Sequence, residues 1–214
     1  MEKALDNPEI THLHLISGQC WPVKDTKTLY DFYEDNTNIY MECYSADGVK
    51  KSGEPIILWQ KCYFNYDKVN RRTTFGKIYH RLILAGQALL RVNKFRKLHV
   101  HLDIYHGSQW MDLPRDAAEY LLTYCEENPN VQKVFETGFC SDEFWAQTIL
   151  YNSRFQNRII SDNHRYILWE ERHGSYPAIL DEADLESIGA GDYHFCRKVV
   201  PNISEKLVRL LSEK

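Results

Sequence analysis

Two periods run through the hydrophobic pattern of this 214-residue chain. Period-two alternation over Thr11 to Ile16 (THLHLI) predicts a strand that ends in a Ser17-Gly18 turn. Strand-like runs follow at Asn38 to Tyr44, with Glu42 in the middle, at Leu98 to Ile104, and at Arg165 to Trp169. Helical spacing appears first at Glu2 to Leu5, stopped by Asn7-Pro8, and then at Thr26 to Tyr33, with Asp25 or Thr26 as the cap. The longest apolar stripe joins Ile78, Leu82, Ala85, Leu89 and Val92 within Gly76 to Val92. Further helices are predicted from Asp112–Pro114 to about Cys125, from Ser141 through Tyr151, and from Asp181 to Ile188, ending at Gly189; Asn128-Pro129-Asn130 reads as a loop.

Strands interleaved with helices suit an open α/β sheet, in which ligands gather at the loop after a strand's C-terminal end. Ser17, Gly18 and Gln19 occupy such a loop. Ser141 is expected to cap a helix whose first turn carries Asp142 and Glu143, with Phe144, Thr148 and Tyr151 on one face beside Trp145 and Ile149. Taken alone, that acidic pair reads as a capping device. Arg115 in a first helical turn opposes the dipole, which predicts a specific partner for it, a structural one being one option. Gly107-Ser108-Gln109-Trp110 combines a backbone that permits close approach with donors and a flat ring. The aromatic run Trp59 to Tyr66, with Lys61, is a second candidate wall.

Composition narrows the class. Hydrophobic residues make up 43% and charged residues 26%, enough for one sizeable core and one domain over 1–214. Aromatics reach 13%, with fourteen Tyr and five Trp, most of them expected in the core. A net charge of -4 argues against nucleic acid as a partner. No run of 18 apolar residues occurs and MEKALDNPEI lacks a signal-peptide core, so the expectation is a cytoplasmic chain. The six cysteines are scattered without a CxxC pair, which favours free thiols over zinc or disulfides. Residues 68–97 hold basic side chains and no acid; the sharper hypothesis is peripheral contact with an anionic membrane, the plainer one a solvated surface helix.

Four blocks, in order, resemble the core-2/I-branching glycosyltransferase family, which includes β-1,6-N-acetylglucosaminyltransferases and protein xylosyltransferases. They are LISGQCWPVK (15–24), GSQWMDLPRDAAEYL (107–121), SDEFWAQTILYNS (141–153) and the segment 162–200, with its DNHRYILW and FCRKVV elements. The absence of an anchor makes the chain more similar to bacterial members; a Golgi address would require an N-terminal anchor.

The resemblance implies a GT-A-like, Rossmann-like fold and inverting transfer of a sugar from a UDP-sugar donor to a glycan or lipid-linked saccharide acceptor. Glu143 matches the family's general base. Lys198, with Arg197 as its neighbour, matches the family cation that holds the donor diphosphate without a metal, Arg165 is a further candidate, and no DxD triplet is present. Glu42, Trp169, Asp142 and Trp110 fall on the acceptor side, and Ser17, Gly18 and Gln19 on the donor side. Cys20 stands where the family has Asp, and Glu171 where some relatives have Tyr. Only sixteen residues precede the SGQ block, so the resemblance implies an N-terminally truncated fold whose uridine-binding half is largely missing. The alternative function is a non-catalytic carbohydrate-binding or scaffold relic.

Overall fold

The computed structural model describes residues 1–64, 69–71 and 73–213; Tyr66, Lys68 and Arg72, which belong to the aromatic run and the basic segment, lie outside the described residues. In chain order the elements begin with helix α1 (Glu2–Leu5), strands β1 (His12–His14) and β2 (Trp21–Pro22), helix α2 (Thr26–Tyr33) and strands β3 (Ile39–Met41) and β4 (Tyr44–Ser45). Strands β5 (Lys50–Lys51) and β6 (Glu54–Pro55) form a hairpin before helices α3 (Ile57–Lys61), α4 (Thr74–Leu89) and α5 (Lys94–Lys97). Then come β7 (Tyr105–His106), β8 (Met111–Pro114), α6 (Arg115–Glu127), α7 (Pro129–Glu136) and α8 (Trp145–Tyr151). The last third holds β9 (Ile159–Ile160), β10 (Arg165–Ile167), α9 (Leu185–Ala190), β11 (Phe195–Arg197) and α10 (Glu205–Ser212).

The main sheet has the order β1-β8-β3-β9, and a second runs β10-β11-β2. Both are mixed: β3–β9 and β10–β11 are parallel, the other pairs antiparallel. Ile39, Met41, Met111 and Leu113 are fully buried against α6 and α8, which contribute Ala117, Ala118, Leu121, Ala146, Ile149 and Leu150. A smaller core of Leu180, Ile188, Cys196, Leu207 and Leu211 supports the second sheet. This is the expected α/β architecture of GT-A-like type.

Several local expectations hold for the stated reasons. Asp25 caps α2, its carboxylate accepting from Thr28 N–H at 3.0 Å. Arg115 does have a structural partner: its guanidinium donates to the carbonyls of Leu5 (2.6 Å), Asn7 (2.8 Å) and Ile10 (3.1 Å), tying the N-terminal turn to α6.

Other expectations are corrected. Asp112 to Pro114 is strand, because Leu113 and Asp112 pair with β1, and the helix begins at Arg115. The Asn128-Pro129-Asn130 stretch opens α7, with proline at the helix start where no N–H is required. Leu98 to Ile104 is not a strand, and Asn38 to Tyr44 is interrupted after Met41. Ser141 does not cap α8: its hydroxyl donates to Phe135 O at 2.5 Å, residues Ser141–Glu143 form a single 3₁₀ turn, and α8 starts at Trp145. The stripe of α4 faces outward, with Ile78, Leu82 and Leu89 between 54% and 84% exposed, while Gly76 and His80 form its buried side. No described helix is long and apolar enough to cross a membrane.

Between the two sheets lies a buried polar seam. The Asp112 carboxylate receives two bonds from Arg165 (2.6 and 2.7 Å), one from Tyr33 OH (2.7 Å), and lies 2.8 Å from His14 Nδ1. Burial alone would raise the Asp112 carboxyl; the hydrogen bonds of His14 and Arg165, the nearby His164 ring and the Arg165 charge hold it well below the usual carboxylate range. Tyr33 OH also meets His194 Nδ1 at 2.8 Å, and the His164 and His194 rings stack with centroids 4.1 Å apart.

Candidate active site

Three segments meet at Gly107. Its N–H donates to the Glu143 carbonyl at 2.9 Å, and its Cα packs so closely on Glu42 that a Cβ there would fall 1.8 Å from the Glu42 carbonyl oxygen. A strand end, a glycine and an acidic turn are thereby locked together. The next residue, Ser108, extends the junction: its carbonyl accepts from Gln147 Nε2 on α8 at 2.8 Å, and its hydroxyl accepts from Asn163 Nδ2 at 2.9 Å.

The Glu143 side chain is 31% exposed and faces Lys51 Nζ at 3.3 Å. Burial raises its pKa above the ordinary glutamate value; Lys51 opposes the shift and the carboxylates of Asp142 and Glu42 add to it. Lys51 sits at the end of the β5–β6 hairpin, whose Ser52-Gly53 turn takes positive φ at both residues (53° and 81°), the geometry a two-residue hairpin needs. His106, half-buried on β7, has its pKa lowered by burial and by the same Lys51 charge. A partly exposed carboxylate with a raised pKa, beside other carboxylates, can accept a proton from a bound hydroxyl.

A cationic group lies at the other end of the Gly107–Trp110 segment. The Arg197 guanidinium stacks 4.2 Å from the Trp110 ring centroid. Three residue steps separate Gly107 from Trp110, so the two ends stand no more than about 11 Å apart along the backbone. Lys198 Nζ donates to Ser175 Oγ at 2.9 Å, and the Trp169 ring lies 5.8 Å from that of Tyr176, both more than 60% exposed. Val199 N–H donates to Gln19 O at 2.9 Å, which brings the Ser17–Gln19 loop against the same segment. That loop is closed by Cys20 N–H on Ser17 O (2.9 Å), and the Cys20 sulfur accepts from Ser17 N–H at 3.4 Å.

Residues 1–193 match the Core-2/I-Branching enzyme family. The chain belongs to that family. A xylosyltransferase of Caenorhabditis briggsae, sqv-6, is 30% identical over 98 residues, a stretch that covers 46% of this chain and 12% of the relative. The chain thus spans a small part of the length of that relative.

Within this Core-2/I-branching chain, the structure assembles the site residues into two groups. The Glu42 and Glu143 backbones meet at Gly107, and the Asp142 and Glu42 carboxylates act on that of Glu143; Arg197 ends β11, Lys198 follows it, and Gln19 of the Ser17–Gln19 loop bonds the next residue, Val199, while Trp169 stands against Tyr176. Two expected residues sit elsewhere. The Arg165 side chain is fully buried, and its bonds to Asp112 and to the Leu15 carbonyl (3.2 Å) leave it no face for a diphosphate. Trp110, 7% exposed and covered by Arg197, has no open face for a sugar ring.

Lys51 and His106 were not anticipated. The Ser-Gly pair between Lys51 and Glu54 is a hairpin signal that would have placed Lys51 at a strand end, but nothing local aims it at Glu143. The Asp112, His164 and His194 ligand atoms lie within 4.8 Å of one another. Arg165 already neutralises Asp112 from both oxygens, so a divalent cation there would meet a buried guanidinium; the trio fits an ion-pair network better than a metal centre.

Proposed function

We propose that the chain is an inverting, metal-independent glycosyltransferase domain that moves a sugar, N-acetylglucosamine in the first instance, from a UDP-sugar to a hydroxyl of an acceptor glycan in polysaccharide or glycan synthesis. The observation that carries this reading is the Gly107–Trp110 segment, which joins the backbone of Glu143 to the guanidinium of Arg197. In the reaction, Glu143 removes the proton of the acceptor hydroxyl. The new C1–O bond forms on one face of the donor sugar as the bond to diphosphate breaks on the other.

Lys198 and Arg197 take up the charge that develops on the diphosphate, the task a metal performs in other transferases. Trp110 acts beneath Arg197, as the surface that orients it. Trp169 and Tyr176 offer exposed rings to the acceptor, with Glu42 and Asp142 as hydrogen-bond acceptors for its hydroxyls. The named xylosyltransferase makes UDP-xylose the competing donor.

Calorimetric titration in EDTA with UDP, UDP-N-acetylglucosamine and UDP-xylose tests the proposal. Micromolar to sub-millimolar binding, lost in Lys198→Ala, is expected. Absence of binding to every nucleotide would reject the donor site and favour an acceptor-binding relic.

A further inference from the structure

Residues 68–97 contain nine of the chain's 26 basic side chains and none of its 30 acidic ones. Within this stretch, Phe75, Ile78, Leu82, Leu89 and Leu90 are 54% to 84% exposed. Four of these, with Ala85, recur at intervals of three and four residues and line one flank of α4. At about 100° per residue, Lys77 and Arg81 fall along one edge of that stripe, and Arg91, Arg96 and Lys97 follow its C-terminal end. The opposite side of α4 is the one that packs: Gly76 is pressed against the Asn70 carbonyl, and His80 Nε2 lies 2.7 Å from Glu54 Oε2.

A fold that buries Gly76 and His80 while leaving five large hydrophobics in water has oriented this helix for something outside itself. A second copy of the same face would set Lys77 and Arg81 against like charges. The combination of an apolar stripe edged by cations without acids matches the chemistry of an anionic lipid surface.

We propose that α4 docks the protein on anionic membranes, with Phe75, Ile78, Leu82 and Leu89 entering the interface and Lys77 and Arg81 meeting lipid phosphates. The helix is connected to the candidate base by a short chain of contacts. His80 on its inner side meets Glu54; Glu54 shares the β5–β6 hairpin with Lys51; Lys51 pairs with Glu143. An acceptor saccharide carried on a lipid would therefore be presented beside the carboxylate end of the site. The docking surface itself does not depend on catalysis, and its test reads binding alone.

The experiment is co-sedimentation with phosphatidylcholine vesicles containing phosphatidylglycerol and with pure phosphatidylcholine vesicles, at low and high salt. Binding to the anionic vesicles only, weakened by salt, is expected. Lys77→Glu with Arg81→Glu is expected to lower partition by about tenfold or more, and Leu82→Ser with Leu89→Ser to abolish it. All four positions are exposed, and circular dichroism verifies that each double variant remains folded. Equal binding to both vesicle types, or to neither, overturns the proposal. So does concentration-dependent self-association without lipid that Leu82→Ser removes, which would assign the face to a second copy.

Discussion

A Cβ on Gly107 would stand 1.8 Å from the Glu42 carbonyl oxygen and 2.5 Å from its carbon, so glycine is the residue that lets these two backbones touch. The obstruction is backbone, not the tip of a flexible side chain, and relief requires a shift of β7 or of the Glu42 segment. Gly107→Ala is expected to destabilise the fold by about 2 kcal/mol. It should also misplace Glu143, whose carbonyl accepts from the same residue's N–H. Thermal melting and the transfer rate read the two effects separately; a variant with unchanged melting and rate would remove Gly107 from its organising role.

Glu143 must be ionised to accept a proton, so transfer should fall as pH drops through its pKa. Lys51 lowers that pKa against burial and the neighbouring carboxylates. Lys51→Met therefore raises it, and the acid limb of the pH–rate profile moves to higher pH. Glu143→Gln is expected to reduce turnover by about 10²-fold or more while acceptor binding persists. An unmoved acid limb in Lys51→Met, or normal turnover in Glu143→Gln, would assign the proton to another group.

Much of this site was legible in the residues and some was not, for identifiable reasons. Short motifs named Glu143, Lys198 and Gly107, and helical spacing found α4 to within a few residues. Periodicity could not tell which side of α4 is inward, because the inner side is built from Gly76 and His80 and the outer from leucines, the reverse of the usual arrangement. Asp112 beside Pro114 looked like a helix start, yet its pairing with β1 and its bonds to Arg165 are long-range facts. Arg165, a diphosphate candidate by resemblance, is taken up by the same long-range bonds. Ser141 shows the local version of the problem: a good capping residue whose hydroxyl is used by Phe135.

Trp110 supports Arg197 from below, and loss of the ring should loosen the cation without removing its charge. Trp110→Leu is expected to weaken UDP binding by about threefold to tenfold, in line with about 1 kcal/mol for a cation–ring contact. Arg197→Ala should weaken it more, and the double variant should resemble Arg197→Ala alone. Additive losses in calorimetry would mean that the ring touches the ligand directly.

The Arg165–Asp112 pair has both side chains fully buried. Removing the carboxylate charge leaves the buried Arg165 guanidinium without its counter-ion, and Asp112→Asn is expected to cost about 3–5 kcal/mol. Urea unfolding measures it. Because the pair joins β8 to β10, the variant should also lose cooperativity between the two sheets, visible as separated transitions by fluorescence and circular dichroism. A single coincident transition with wild-type midpoint would show that the seam does not hold the sheets together.

The same seam sets the acid sensitivity of the fold. His194 is buried against Tyr33 on α2, the His164 ring and Asp112 on β8, with Lys24 and Asp192 nearby; burial and the His164 charge push its pKa down to about 4 from 6.5. The unfolded chain therefore takes up a proton at His194 between those values while the folded chain does not. Stability contributed by this group is fully present above pH 6.5, falls as pH drops, and levels off below about 4. The loss amounts to about 3 kcal/mol at most, and further acid then protonates Asp112, whose folded pKa is depressed. His194→Gln, which cannot titrate, should flatten urea midpoints across the His194 window while leaving the loss at lower pH. A slope unchanged by the substitution would place the acid-sensitive group elsewhere.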